Sequence, residues 1–174
     1  MKIEIRLTGR MYQSILEDLK RRHAFAAERV GFAMSRNGTL ANGGSLVLLN
    51  RYHPIPDEQY LDDPTIGARI GPEAITWAMQ AAYFGRARHE GLWHIHLHSL
   101  CGRTGMSGVD RREIPKLVPG FQSVGKNGTH GILILSLDHA SAWAWLPGKM
   151  EPIAAAVVSV IGTRIEVFES EGRK

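Results

Sequence analysis

His94-Ile95-His96-Leu97-His98, followed after a short loop by Ser107-Gly108-Val109-Asp110, is the stretch on which the reading of this chain turns. Side chains alternate along a strand, so residues two apart share a face. Residues 92–98 therefore read as a short strand that presents His94, His96 and His98 on one side. Two imidazoles at that spacing can reach one ion at the ~2.0–2.1 Å that zinc requires. Residues 99–106 read as a glycine-containing loop, and Ser107 is a favoured N-cap for a helix over about residues 108–118. Asp110 then falls in the first turn of that helix, where the loop can fold it back toward the imidazoles. Two histidines and a carboxylate leave a fourth position open to water, which is the ligand set of a catalytic rather than a structural zinc site. The chain has eight histidines in all, and three of them on one strand face is not the pattern of scattered surface or core residues.

Outward from this stretch the pattern is that of alternating elements. Residues 2–8 alternate apolar and polar side chains as a strand does. Residues 11–22 carry Met11, Ile15, Leu16 and Leu19 at helical spacing. Residues 28–35 read as a strand with Glu28, Val30, Phe32 and Met34 on one side, and residues 45–55 as another, ended by Pro54 and Pro56. Asn37-Gly38 and Asn42-Gly43-Gly44 are turn signals. Residues 57–71 are polar and read as a loop, either mobile and part of a binding groove or an ordinary surface connection. Pro72 suits the first turn of a helix running to about His89 and stopped by Gly91. Strands over 131–137, 141–146, 153–160 and 164–168 complete the chain, with turns at 138–140 and 147–149. The order β-α-β-β-α-β-α-β-β-β-β predicts a mixed α+β or α/β sandwich, one curved sheet flanked by helices.

A chain of 174 residues suits one domain, residues 1–174, and can bury a sizeable core. Its 44% hydrophobic and 22% charged residues are the composition of an ordinary globular protein, with disorder expected only in the last residues, 169–174. The single cysteine, Cys101, excludes an internal disulfide framework and fits a reducing compartment. The N-terminus lacks the apolar stretch of a signal peptide, and no run approaches the ~20 apolar residues of a membrane span; a cytoplasmic location is the expectation. The net charge of +4 is a mild excess carried by scattered residues, among them Lys20-Arg21-Arg22, Arg86, Arg88 and Arg111-Arg112. Nucleic-acid faces cluster such residues, so no nucleic-acid partner is expected.

Glu28 with the run Glu28-Arg29-Val30-Gly31-Phe32-Ala33, the pair His96-Leu97-His98 and the set Ser107-Gly108-Val109-Asp110 together resemble the JAMM motif of the JAB/MPN domain metalloproteases. The resemblance covers most of the chain, from about Ala24 to Trp145. Eight residues separate His98 from Ser107, one more than the family's usual spacing; taking His94 and His96 as the pair would make the gap ten. His96 and His98 are therefore the preferred ligands, with Asp110 as the third. His94 is then either an outer donor to a ligand or a buried strand residue.

The resemblance implies a cytidine-deaminase-like sandwich and a zinc-dependent isopeptidase or peptidase. Zinc lowers the pKa of a coordinated water toward ~7. Glu28 would take the water's proton as general base and pass it to the leaving amine; Ser107 would hydrogen-bond the developing oxyanion, a role compatible with N-capping. Cys101, in the loop, is either a plain loop residue or a thiol able to bind zinc or sense oxidation. Short JAB proteins of this kind resemble bacterial enzymes that cleave after the C-terminal glycine of a ubiquitin-like protein, with E1-like and E2-like proteins as further partners and antiviral defence as an associated role. An extended tail would bind by strand addition. Two other readings carry the same residues: a JAB protease that processes a sulfur-carrier protein in biosynthesis, and a non-catalytic MPN-like scaffold that only binds metal.

Overall fold

The histidine strand lies in the middle of the sheet. The structure, a computed structural model, describes residues 1–22, 28–63, 65–98, 101–162 and 165–169. In chain order these form β1 (Ile3–Thr8), α1 (Gly9–Leu19), β2 (Val30–Thr39), β3 (Ser45–Pro54), α2 (Pro72–Gly85), β4 (Glu90–Leu97), α3 (Gly108–Val124), β5 (His130–Leu135), β6 (Ala140–Trp145), β7 (Ile153–Ala154), β8 (Val157–Ile161) and β9 (Ile165–Glu169), with short 3-10 turns at Asp57–Gln59 and Arg86–Arg88. The strands make one sheet in the order β7-β6-β5-β4-β2-β3-β1-β8-β9. It is mixed: β1 runs parallel to β3 and β8, β4 runs parallel to β5, and the remaining neighbours are antiparallel. Parallel neighbours need a crossover, which α3 supplies between β4 and β5.

The sheet curls until its two ends approach. Ala155 donates its amide to Ala142 of β6 at 2.8 Å, and the next residue, Ala156, donates to Ile3 of β1 at 2.8 Å. The segment expected as a single strand over 153–160 is therefore one extended run that changes partners at its middle, with β7 on β6 and β8 on β1. Apolar alternation marks extended backbone but not a change of neighbour, so the two strands read as one.

Strand alternation divides the apolar residues between two cores. On one face α1 buries Met11, Tyr12, Ile15 and Leu19 against Ile3, Ile5, Trp93, Ile95 and Leu133. On the other, α2 and α3 bury Ala74, Ala78, Ala82, Ile114, Val118 and Phe121 against Phe32, Leu92 and Ile132. The alanines of α2 keep its axis close to the sheet. Each large apolar side chain fully buried here contributes about 1.5–3 kcal/mol. The second core sets the stage for the site, because His94, His96 and His98 share the sheet face of Leu92.

Several expected boundaries move. Asn37-Gly38 is not a turn: β2 continues through it, pairing Asn37 with Val47 and Gly38 with Leu46. The turn is built at residues 40–44, where Gly43 takes the left-handed conformation at φ 79° and Leu40 and Gly44 close the loop at 2.8 Å. The helix expected to reach His89 ends at Gly85, and His89 itself adopts φ 55° after the 3-10 turn. Gly91 is not a helix stop but a close approach, since a Cβ there would lie 1.8 Å from the Thr129 carbonyl oxygen. The first helix stops at Leu19, three residues short of expectation. The third runs past Val118 to Val124 and carries Pro115 and Pro119 inside it. A proline removes one helical hydrogen bond and costs about 3 kcal/mol; burial of Phe121 and a cap at the far end offset it. That cap is His130, whose Nε2 donates to Gly125 O at 2.9 Å while Nδ1 accepts the Leu92 amide at 3.1 Å. Glu169, expected in a disordered tail, ends β9. Ala24, Pro64, Ser99, Leu100 and Arg164, together with residues 170–174 of the expected tail, lie outside the described residues.

Candidate metal centre and active-site cleft

The three histidines form a ladder on β4. Val30 of β2 pairs with His96 and Phe32 with His94, so the ladder runs beside the start of β2 and toward Glu28. Ring centroids are 5.7 Å apart from His94 to His96 and 5.5 Å from His96 to His98. Phe32 meets His94 edge-on at 5.9 Å. His94 and His96 are buried, at 7% and 5% exposure. Burial is the main force on both: it holds His94 down to about 3 and His96 down to about 4, the negative charge of Asp110 pulling the other way. Both rings are therefore neutral near pH 7 and keep a lone pair for a ligand.

Asp110 is delivered to His96 by helix capping. Its amide donates to Ser107 Oγ at 3.1 Å, and its Oδ2 accepts the Ser107 amide at 2.8 Å, a reciprocal capping box at the start of α3. The same Oδ2 stands 3.9 Å from His96 Nε2. The preceding loop is pinned from the other side: Thr104 Oγ1 donates to Ser141 Oγ at 2.7 Å, Ser136 Oγ donates to the Gly102 carbonyl at 3.0 Å, and the Gly102 amide donates to Asp138 at 2.6 Å. The hairpin of β5 and β6 thus holds the loop that positions Ser107 and Asp110. Cys101 is exposed in that loop.

Glu28 is half-buried beside this group. Burial pushes its carboxyl above the usual carboxylate range; the charge of His98 opposes the shift and that of Asp110 adds to it. Glu28, His94, His96, His98, Ser107 and Asp110 all line one cleft of about 900 Å³. The segment expected as a loop over 57–71 also lines the cleft, contributing Thr65, Ile66, Gly67, Ala68 and Ile70, while α3 contributes Ile114 and Leu117. This segment folds back on itself. Leu61 donates to Arg69 O at 2.8 Å, Gly71 donates to Gln59 O at 2.6 Å, and Arg69 pairs with Asp63 at 3.0 Å. Tyr60 fixes its base: the hydroxyl donates to Val30 O at 2.9 Å and accepts the Val30 amide at 3.0 Å, beyond Pro54, where β3 has ended.

Reading the sequence alone misses Gly67 and Tyr60. Both act through contacts distant in the chain, Gly67 with Glu28 and Tyr60 with Val30, and no local period marks such pairs.

The donor chemistry suits a divalent ion such as zinc. His94 Nδ1, His96 Nε2 and His98 Nε2 are buried without a hydrogen-bond partner among the described residues. An unsatisfied buried polar atom costs about 1–3 kcal/mol, and a cation would relieve it. Among the described residues, no three His, Cys, Asp or Glu side chains converge as a ready-made cage. No protein-family model matches the chain, and no curated protein matches it. Among the described residues no helix is long and apolar enough to cross a membrane.

Proposed function

We propose that the protein is a zinc-dependent isopeptidase or peptidase of the JAB/MPN type, acting in the cytoplasm on the C-terminal tail of a ubiquitin-like protein. The observation that carries this reading is the gathering of Glu28, His96, His98, Ser107 and Asp110 on one cleft, with unpartnered Nε2 atoms on both histidines. His96, His98 and Asp110 would hold the zinc, which supplies Lewis acidity toward water and the scissile carbonyl when bound.

The chain's own residues then divide the work. Glu28 accepts a proton from the attacking water and hands it to the leaving amine nitrogen. Its partial burial favours this, because a carboxyl raised above its usual range is a stronger base. Ser107 Oγ accepts from the Asp110 amide, which leaves its own proton free to be donated to the carbonyl oxygen as charge develops there. The apolar lining residues Ile66, Ile70, Ile114 and Leu117 suit an extended peptide.

The test is cleavage of a ubiquitin-like protein carrying a C-terminal extension. Wild-type protein should release the extension, lose activity to a chelator and regain it with zinc. Glu28→Gln should keep its zinc and lose roughly 10²–10⁴-fold in turnover. Near-normal turnover by Glu28→Gln would remove the assigned base.

A further inference from the structure

We propose that the arginine-rich face at the amino end of β4 docks an acidic protein segment, one that presents clustered carboxylates beside an apolar side chain. The face is separate from the histidine cleft, and the zinc reading does not require it.

Glu90 is its centre. The side chain is 5% exposed, and three guanidinium groups converge on it: Arg88 at 2.8 Å, Arg36 at 3.5 Å and Arg51 at 4.0 Å. The sheet brings two of them there, since Arg36 of β2 pairs directly with Glu90, and Arg51 of β3 pairs with Met34, two residues back along β2. Arg88 comes from the 3-10 turn that follows α2. All three arginine side chains stay more than half exposed.

One buried carboxylate cannot neutralise three guanidiniums. It gathers them at one point and leaves an excess of positive charge there. Each guanidinium carries five N–H donors, and among the described residues Arg36 and Arg51 make no other ion pair. Their remaining donors are open to carboxylates, which a guanidinium can bind through two parallel hydrogen bonds.

An apolar contact lies alongside. Gly85 packs on Glu90, where a Cβ would lie 3.0 Å from the Glu90 Cβ. Its chain neighbours are Phe84, 66% exposed, and Arg86, whose guanidinium stands over the Tyr83 ring at 3.5 Å. Tyr83 and Phe84 meet edge-on at 5.5 Å. Leu48, exposed on β3, is the cross-strand partner of Arg36. Arginine and aromatic residues are enriched at protein interfaces, and lysine is depleted there. The arginines surround one point and do not form the extended groove that a nucleic-acid strand follows. A compact acidic patch with an apolar neighbour matches both halves of the face. At ~3.3 Å per residue, Glu90 lies roughly 20 Å along β4 from His96, so a partner seated here leaves the cleft open.

Fluorescence anisotropy with a labelled peptide of glutamate and leucine repeats tests the proposal, with a lysine and leucine peptide and oligothymidylate as comparison probes. Wild-type protein should bind the acidic peptide in preference to both, and more weakly as salt rises. Arg36→Gln/Arg51→Gln should bind it roughly tenfold more weakly. Arg88 still pairs with Glu90 in that variant and preserves the fold. Phe84→Ser, an exposed substitution, should also weaken binding. Arg10→Gln/Lys20→Gln removes the same charge at exposed positions of α1 and its cap, and should bind as wild type does. No binding of the acidic peptide by wild type, or equal weakening in the two double variants, would overturn the proposal. Tighter binding of oligothymidylate than of the peptide, lost in Arg36→Gln/Arg51→Gln, would overturn it in favour of a nucleic acid.

Discussion

The amide of Glu28 donates to the carbonyl of Gly67 at 2.8 Å, and a Cβ on Gly67 would lie 2.9 Å from the Glu28 carboxyl carbon and from its Oε2. The 57–71 loop thus sets the position of the proposed base twice, through its backbone and through the missing side chain.

Gly67→Ala tests that contact. The methyl group has no room unless the Glu28 carboxylate shifts, and a displacement of about 1 Å at a reacting group costs up to ~10²-fold in rate. Turnover should fall roughly 10–100-fold, with zinc affinity unchanged because Gly67 touches no proposed ligand. Steady-state kinetics alongside a zinc titration checks both halves; unaltered turnover would show that the loop does not position Glu28.

Ser107 joins stability to chemistry. Removing its hydroxyl deletes the side-chain half of the capping box, and loss of an N-cap costs about 1 kcal/mol. Ser107→Ala should therefore be less stable by about that amount in urea unfolding and slower by roughly 10²–10³-fold. Ser107→Asn retains a capping oxygen and should recover the stability without the rate. A variant that recovered both would reduce Ser107 to a cap.

Acid should weaken the metal-free fold. His94 and His96 titrate at about 3 and about 4 in the folded chain, and burial also holds His130 down. An unfolded histidine titrates near ~6.5, so between those values the unfolded chain binds more protons. Stability from these three is complete above about pH 6.5 and is lost as pH falls toward the folded values. Glu28, raised in the folded chain, contributes with the opposite sign and recovers stability in acid. With these three and His53, which burial also holds down, against Glu28, Tm in a chelating buffer should drop by roughly several degrees from pH 7.5 to pH 5, and His94→Leu should flatten the slope. A Tm independent of pH would show that these rings are not buried in neutral form.

The parts of the fold that were legible in the sequence are those written in local pattern. The alternation around His94, His96 and His98 marked the strand and its face, and Ser107 three residues before Asp110 marked the helix start that the capping box forms. Boundaries set by distant contacts were not legible. Asn37-Gly38 has turn chemistry, yet pairing with β3 keeps it extended; Pro119 has breaker chemistry, yet Phe121 and the His130 cap carry α3 beyond it. In the candidate site, the residue types and their spacing were readable, whereas the contact on Glu28 depends on Gly67, far along the chain, meeting it through a backbone hydrogen bond. The mixed sheet with helices on both faces agrees with the expected class; the finer JAB/MPN assignment rests on the motif residues.

The proposed zinc site stands or falls on His96, whose Nε2 lies 3.9 Å from Asp110 Oδ2 and has no hydrogen-bond partner among the described residues. Isothermal titration of zinc into the chelator-stripped wild-type protein, His96→Ala and Glu28→Gln measures it directly. One zinc per chain is expected for wild type and for Glu28→Gln with similar affinity, and an affinity lower by roughly 10³-fold or more for folded His96→Ala. Equal zinc affinity in wild type and folded His96→Ala would contradict it.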